Sequence, residues 1–113
     1  MATTTDDKGQ VKLLPADCLF AIYDINTHIL YLAARGSYFP PTLTSFARQT
    51  WIGGIKYAFE GFYDNLDDKP IPTEIEFAEE FSINLPEKIN EVHIVTADGT
   101  KTVKILRVPL LLS

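Results

Sequence analysis

The dipeptide Asp98-Gly99 constrains the fold of this chain more than any other feature of its sequence. Apolar and polar residues alternate before it from Glu91 to Thr96, and a second β-prone run follows over residues 101–108. Asp-Gly is typical of a two-residue type I′ turn, because both central residues of that turn need positive φ. Residues 91–108 are therefore predicted to form a β-hairpin, which Pro109 ends.

The same turn predicts which residues of the hairpin face each other. With Asp98 and Gly99 in the loop, Ala97 is opposite Thr100. The pairs on the core face are then β-branched, Val92 with Ile105 and Ile94 with Val103. The pairs on the other face are mixed, His93 with Lys104 and Val95 with Thr102. This register predicts an apolar core face and a partly solvated outer face.

Four other segments have the composition of strands. They are Cys18–Asp24, residues 29–34, Ile55–Tyr63 and residues 73–85. Asn26-Thr27 supplies a turn between the first two segments, which are predicted to pair as a hairpin. Both are almost continuously apolar, which is typical of central strands covered on both faces.

Residues 73–85 fit two different structures. Thr73 and Glu76 have the spacing of a helical capping box, and good helix formers follow as far as Phe81. The apolar residues of the segment share one parity, however, which favours a strand. We favour the strand, which makes Glu79 either an inward-pointing residue or the site of a bulge, and we keep the helix as the alternative.

The segment between the first hairpin and Ile55–Tyr63 contains several residues that interrupt strands. Arg35-Gly36-Ser37 breaks the apolar run, and Pro40-Pro41 predicts a polyproline-like connector. Thr42 or Thr44 is placed to cap a short helix over residues 45–49, which Gly53-Gly54 would stop within about two turns.

A chain of 113 residues has room for one domain with one core. Residues 1–10 are polar and are expected to form a disordered tail, which leaves residues 11–113 as a single globular β-rich domain. Six strands with at most one or two short helices predict a mainly β fold, either a small antiparallel sandwich or a partly open barrel. An α+β fold is the alternative.

The charge and hydropathy of the chain argue against two classes of partner. The net charge is −5, and residues 60–91 alone carry ten acids against two lysines. Nucleic acids bind clustered Lys and Arg, so they are not expected as partners. No apolar run reaches bilayer length and the N-terminus lacks the order of a signal peptide. We therefore expect no membrane contact and a cytoplasmic location, unless a signal has been removed.

The residue types that carry most enzyme chemistry are few. His28 lies in a predicted turn and His93 on a predicted strand, and neither belongs to a recognisable metal-binding or catalytic set. The single cysteine, Cys18, opens an apolar strand, where a thiol usually behaves as a small hydrophobe. No catalytic residue, metal site or cofactor is therefore predicted.

Two groups of side chains are candidate contact surfaces. Eight aromatic residues fall between Tyr38 and Tyr63, and the core is expected to take up most of them. Trp, Tyr and Arg carry a large share of interface energy, so the candidate ligand- or partner-binding patch is Tyr38, Arg48, Trp51 and Tyr57. The candidate oligomer contact is the apolar tail Leu110, Leu111 and Leu112.

These features predict a non-enzymatic binding or assembly module that acts through protein–protein contacts, either with itself as a homo-oligomer or with another protein. The alternative is a small-ligand or carbohydrate-binding β domain in which Trp51 and Tyr57 stack on the ligand. A small enzyme that uses His93 or Glu79 is a third hypothesis, and no motif in the sequence supports it.

Overall fold

The computed structural model describes residues 9–64 and 71–110. Their regular structure is all strand: β1 Gln10–Leu13, β2 Cys18–Asp24, β3 Ile29–Tyr38, β4 Leu43–Gln49, β5 Ile55–Tyr63, β6 Thr73–Ser82, β7 Glu91–Thr96 and β8 Gly99–Val108. The prediction of a mainly β fold is confirmed, and the α+β alternative is wrong. The expected N-terminal tail falls mostly on residues 1–8, outside the described residues, and Gln10 is already paired in β1.

The eight strands form one curled sheet. β5 pairs with β4 along one edge, and with β7 and then β1 along the other. From β7 the sheet continues through β8, β2 and β3 to β6. β1, β4 and β6 each pair with a neighbouring strand on one side only, and the curl brings β4 and β6 together along a seam, where the Phe46 amide donates a hydrogen bond to the Glu79 carboxylate. The architecture is a partly open barrel.

Two pairs of neighbouring strands are parallel, which corrects the expectation of an antiparallel sheet. β7 and β8 form an antiparallel hairpin that is inserted between β5 and β2. Its two outer edges pair in parallel with β5 and with β2. The sheet has eight strands rather than about six because β1 and β4 lie in segments for which the sequence pattern predicts no strand.

The short helix predicted over residues 45–49 is wrong, because this segment is part of β4. Every residue of β4 pairs with β5, and the Phe46 side chain is buried. Its ring stacks on that of Phe59, with 4.9 Å between the ring centroids. A five-residue helix is marginal by itself, so the burial of one phenylalanine and a full ladder of backbone hydrogen bonds decide the conformation.

The first hairpin is confirmed as β2 and β3, but β3 is longer than predicted. It continues through Arg35-Gly36-Ser37 to Tyr38 because β6 pairs along its whole length. Gly36 is needed at this position, since a Cβ there would lie 2.6 Å from the Pro15 carbonyl oxygen. The strand interpretation of residues 73–85 is confirmed for Thr73–Ser82, and Glu79 points inward without a bulge in the pairing with β3.

The hairpin of β7 and β8 is confirmed, but its register differs from the prediction by two residues. Thr96 pairs with Gly99, and Val92 pairs with Val103 rather than with Ile105. A shift by two residues keeps every side chain on its predicted face, so the core face of the hairpin is the one expected.

The turn of this hairpin explains the shift. Gly99 has a φ of 115°, whereas Ala97 and Asp98 have no positive φ, so the turn is not of type I′. The Thr96 hydroxyl donates to the Gly99 carbonyl oxygen at 2.8 Å and accepts from the Asp98 amide at 3.1 Å. Thr96 therefore closes a loop formed by Ala97 and Asp98, and the glycine takes the left-handed position that follows it.

Side chains that point to the inside of the curled sheet form a continuous core. Its largest buried members are Leu14, Tyr23, Leu30, Leu32, Tyr38, Phe46, Ile55, Tyr57, Phe59, Ile94 and Ile105. Edge strand β6 adds three half-buried side chains on the same side, Ile75, Phe77 and Phe81. The opposite face of each strand lies on the outside of the barrel.

A buried carboxylate organises the turn between β2 and β3 and the end of the described chain. Asp24 accepts hydrogen bonds from the Thr27 hydroxyl at 2.7 Å, the Asn26 amide at 2.9 Å and the Leu110 amide at 3.3 Å. The Thr27 hydrogen bond lowers the pKa of Asp24 most; burial opposes this, and the backbone amides lower the pKa further. The ionised form is therefore favoured in the folded protein.

We expect the contribution of Asp24 to the stability of the fold to decrease at acidic pH. The pKa of Asp24 is lower in the folded protein than its ordinary value of 3.8. The stabilisation that the Asp24 carboxylate provides is therefore complete above pH 3.8 and is lost as the pH falls through the lowered pKa of the folded state. Asp24→Asn should lower the urea midpoint more at roughly pH 7 than at roughly pH 3. Asp17→Asn, at an exposed position, is the control. An equal effect of Asp24→Asn at both pH values would contradict the prediction.

Candidate functional site

The structure does not bring the four predicted contact residues to one exposed surface. Tyr38 and Tyr57 are core residues, with 6% and 1% of their surface exposed. Trp51 is 45% exposed, and the Arg48 guanidinium lies over the Tyr57 ring, 5.6 Å from its centroid. Tyr57 therefore offers no free ring face to a ligand, and of the aromatic residues in the predicted patch Trp51 alone is exposed.

The predicted leucine tail is only partly described. Leu110 is half-buried, and its amide is held by Asp24 beside the turn between β2 and β3. Leu111 and Leu112 lie outside the described residues.

The seam between β4 and β6 is the first candidate site, because it collects polar groups inside the barrel. The Glu79 Oε1 atom accepts the Phe46 amide at 2.9 Å. Burial raises the pKa of Tyr57; the nearby Arg48 opposes this shift, and the charge of Glu79 adds to it. The Tyr57 hydroxyl is buried without a hydrogen-bond partner among the described residues.

Aromatic rings complete the seam. Phe46 on β4 lies against both Phe59 on β5 and Phe77 on β6, with ring centroids 4.9 Å and 5.8 Å apart. On the same inward face Tyr57 packs on Phe81 at 4.7 Å. These contacts and the Glu79 hydrogen bond close the barrel where backbone pairing stops, so the seam is filled by the protein's own side chains.

The second candidate site is a cleft beside Trp51. The Lys56 ammonium lies 4.3 Å from the centroid of the Trp51 ring, and the His93 ring lies 5.3 Å from it. His93 Nδ1 is 3.2 Å from the Thr102 hydroxyl, its cross-strand neighbour, where the sequence analysis placed Lys104. The adjoining cleft has a volume of 530 Å³ and is lined by Gly53, Gly54, Lys88, Ile89, Asn90, Glu91 and His93.

The third candidate site is an apolar surface on the outside of β8, β2, β3 and β6, which we call the outer patch. It consists of Phe20, Ile22, Tyr31, Ala33, Ala78 and Leu106. Phe20 is 60% exposed and Leu106 is 59% exposed, and Leu106 pairs with Ile22 across the parallel β2–β8 ladder. Two large side chains thus stand in solvent on neighbouring strands of one face.

Within the outer patch a projecting side chain lies next to a depression. Phe20, Ala33 and Ala78 follow one another across β2, β3 and β6 in the pairing register. Because the two alanines are small, they leave a depression of 410 Å³ that is bordered by Phe20 and by the ion pair of Arg35 and Glu76. The patch therefore has the relief of a shape-specific contact surface.

Charged residues border the outer patch on opposite sides. On the β6 side are Glu74, Glu76 and Glu80, all exposed. Arg35 reaches Glu76 at 3.0 Å and Glu74 at 3.9 Å. On the β8 side is the exposed Lys104. Ile105 pairs with Ala21 in the parallel ladder, so Lys104, one residue earlier, lies beside Phe20. Its own cross-strand neighbour is Glu91.

Sequence reasoning does not find the outer patch. The nearly unbroken apolar runs of β2 and β3 predict strands covered on both faces, yet the face that carries Phe20 is exposed. Phe20 and Ile22 have the parity opposite to that of buried Ala21 and Tyr23, but all four are apolar or aromatic, so the sequence of β2 alone does not say which pair is exposed. The other half of the patch comes from β6 and β8, so the strand order is needed to assemble it.

Among residues 9–64 and 71–110, no group of three or more His, Cys, Asp or Glu side chains is placed to hold a metal ion. None of the described residues forms a helix long and apolar enough to cross a bilayer. No protein family, curated protein or solved structure compared with this chain matches it. Function must therefore be inferred from the surfaces themselves.

Removing the Glu79 carboxylate should weaken the seam. Glu79→Ala leaves the Phe46 amide without its partner and should lower the free energy of unfolding by about 1–3 kcal/mol in urea titration. Glu79→Gln keeps a carbonyl oxygen and should cost less. Glu80→Ala, at the outward-facing neighbour, should stay within about 0.5 kcal/mol of wild type. Equal effects of Glu79→Ala and Glu80→Ala would contradict the structural role of Glu79.

Proposed function

We propose that this chain is a non-enzymatic assembly module that binds a second copy of itself through the outer patch. The observation that carries the proposal is the exposure of Phe20 and Leu106, at 60% and 59%, on neighbouring strands of one face. Contiguous exposed apolar side chains with a polar border are typical of protein–protein contact sites.

The energetics of such a contact are favourable. Full burial of one Phe or Leu side chain contributes roughly 1.5–3 kcal/mol. A face of four strands can supply a standard interface of roughly 800 Å² per partner, and the two large exposed side chains would lie at its centre. The half-buried Ile22 and Tyr31 beside them would widen the apolar area.

The distribution of reactive groups supports binding rather than catalysis. His28 lies at the turn between β2 and β3, His93 lies on β7, and Cys18 is exposed at the start of β2. These three side chains stand on separate parts of the sheet. A single exposed thiol is compatible with a reducing compartment, so we extend the proposal to a cytoplasmic location.

The outer patch predicts how self-association responds to substitution. Leu106→Ser and Phe20→Ser should each weaken the dimer by about tenfold or more, because each removes apolar area at the centre of the contact. Sedimentation equilibrium at micromolar concentration measures the dissociation constant.

Leu43→Ser is the matched control, since Leu43 is 66% exposed on β4 and lies outside the outer patch. A wild-type chain that is monomeric across the concentration range would contradict self-association. A dimer that survives both outer-patch substitutions, and is lost only when residues 111–113 are deleted, would place the contact in the leucine tail instead.

The cleft beside Trp51 supports a second candidate function, the binding of a small anionic sugar. Lys88, Asn90 and His93 supply hydrogen-bond donors, Glu91 supplies an acceptor, and Gly54 lets a ligand approach the backbone. Because the Thr102 hydroxyl engages Nδ1 of His93, the ring is oriented and Nε2 is left for a ligand. This candidate drops the buried Tyr57, and Trp51 does not line the cleft itself but contacts His93 of its lining.

Trp51 is the chain's one tryptophan, so its fluorescence reports on this cleft. We expect glucose 6-phosphate or glucuronate to produce a saturable change in emission that glucose does not. His93→Gln should weaken this binding by about fivefold to tenfold through the loss of a hydrogen bond. Lys12→Gln, at an exposed position on β1, should leave it unchanged. An emission spectrum that none of the three compounds alters would reject the candidate.

A further inference from the structure

We propose that two copies pack their outer patches face to face about a twofold axis parallel to the strands, so that Phe20 of each copy fills the Ala33–Ala78 depression of the other. This arrangement rests on the proposed self-association and specifies its geometry. It follows from the order of large, small and charged side chains across β8, β2, β3 and β6.

The relief of the surface favours this arrangement. Phe20 projects from β2, and the depression over Ala33 and Ala78 lies on the next two strands in the same row. A twofold axis that runs parallel to the strands between β2 and β3 reverses the strand order across the interface. β2 of one copy then lies over β3 of the other, which brings each projecting ring over the opposite depression.

The charges at the borders of the patch favour the same arrangement. Under the same axis β8 of one copy lies over β6 of the other, so Lys104 is placed above Ala78. Glu76 and Glu80 stand two residues to either side of Ala78 on that strand. Each carboxylate is thus about 7 Å along the strand from the lysine, and the two carboxylates are about 13 Å apart, so the long side chain of Lys104 lies between them and within reach of either. Each dimer contains this contact twice.

The charges also discriminate against the other face-to-face arrangement. A twofold axis perpendicular to the strands keeps the strand order, so β6 of one copy lies over β6 of the other. Glu76 of each copy would then face Glu80 of the other; Arg35 of the same chain pairs with Glu76, but Lys104 would no longer lie between the two carboxylates, which is less favourable. Both axes keep the strands of the two sheets aligned, so the charges decide between the two arrangements.

A second copy of this chain fits the surface because the patch is self-complementary. It carries the projection and the depression side by side, and the cation and the carboxylates at opposite borders. An unrelated partner would have to supply both patterns, whereas the twofold operation supplies them from one sequence.

The test is a charge exchange between two variants. Lys104→Glu places a carboxylate between Glu76 and Glu80 of the other copy, and Glu80→Lys places a lysine beside Lys104. Each variant alone should dimerise about tenfold more weakly than wild type. Glu80→Lys keeps the ion pair of Arg35 and Glu76 intact.

An equimolar mixture of the two variants should restore the affinity to within about threefold of wild type. In the mixed dimer the introduced carboxylate meets the introduced lysine at one contact, and the native Lys104 meets the native Glu80 at the other. Sedimentation velocity with one variant fluorescently labelled measures the heterodimer directly.

The controls make the same charge changes at exposed positions outside the outer patch. Lys12→Glu and Glu87→Lys should not affect dimerisation, alone or mixed. Far-UV circular dichroism verifies that each variant is folded.

The outcomes separate this arrangement from the function on which it rests. A monomeric wild type overturns both. A wild-type dimer that Phe20→Ser disrupts, but whose charge variants show no restoration on mixing, overturns the twofold arrangement and leaves self-association through the outer patch in place. Restoration on mixing supports the arrangement.

Discussion

Closure of the sheet depends on the contacts across the seam between β4 and β6. β4 and β6 are not paired through their backbones, and Glu79 spans them by accepting the amide of Phe46. The rings of Phe46, Phe59 and Phe77 pack together on the inner side of this bridge. An inward-pointing charge on an edge strand also discourages pairing with another sheet edge. The same side chain therefore helps to complete the barrel and discourages pairing at the edges that the barrel leaves open.

Much of the fold follows from local patterns in the sequence. The period-two alternation of Ile55–Tyr63 and the apolar runs flanking Asn26-Thr27 predict β5 and the first hairpin correctly, because side-chain alternation is a direct consequence of strand geometry. The turn at Asp98-Gly99 predicts a hairpin but the wrong register, since the hydroxyl of Thr96 selects a different loop. β4 has no strand signal of its own, and pairing with β5 determines its conformation.

The candidate sites are less accessible to sequence reasoning. Trp51 is exposed, but Tyr57 is buried, because the odd parity that marks β5 as a strand also places Tyr57 in the core. The outer patch combines β2, β3, β6 and β8, which are adjacent only in the folded sheet. No local pattern predicts which face of β2 is exposed to solvent, because apolar residues occupy both of its faces. Strand order is set by contacts between residues far apart in the sequence, so the residues that share an exposed surface cannot be predicted from local patterns.

Synthesis from the N-terminus produces β2, β3 and β5 before the hairpin of β7 and β8 that lies between β5 and β2. Until that hairpin emerges, one edge of β2 and part of one edge of β5 have no native partner, and no strand pairing links the two parts of the sheet. Closing such distant contacts slows folding and leaves strand edges exposed in the meantime. The nascent chain therefore passes through a stage in which incorrect strand pairing competes with folding, and the hairpin made last ends that competition.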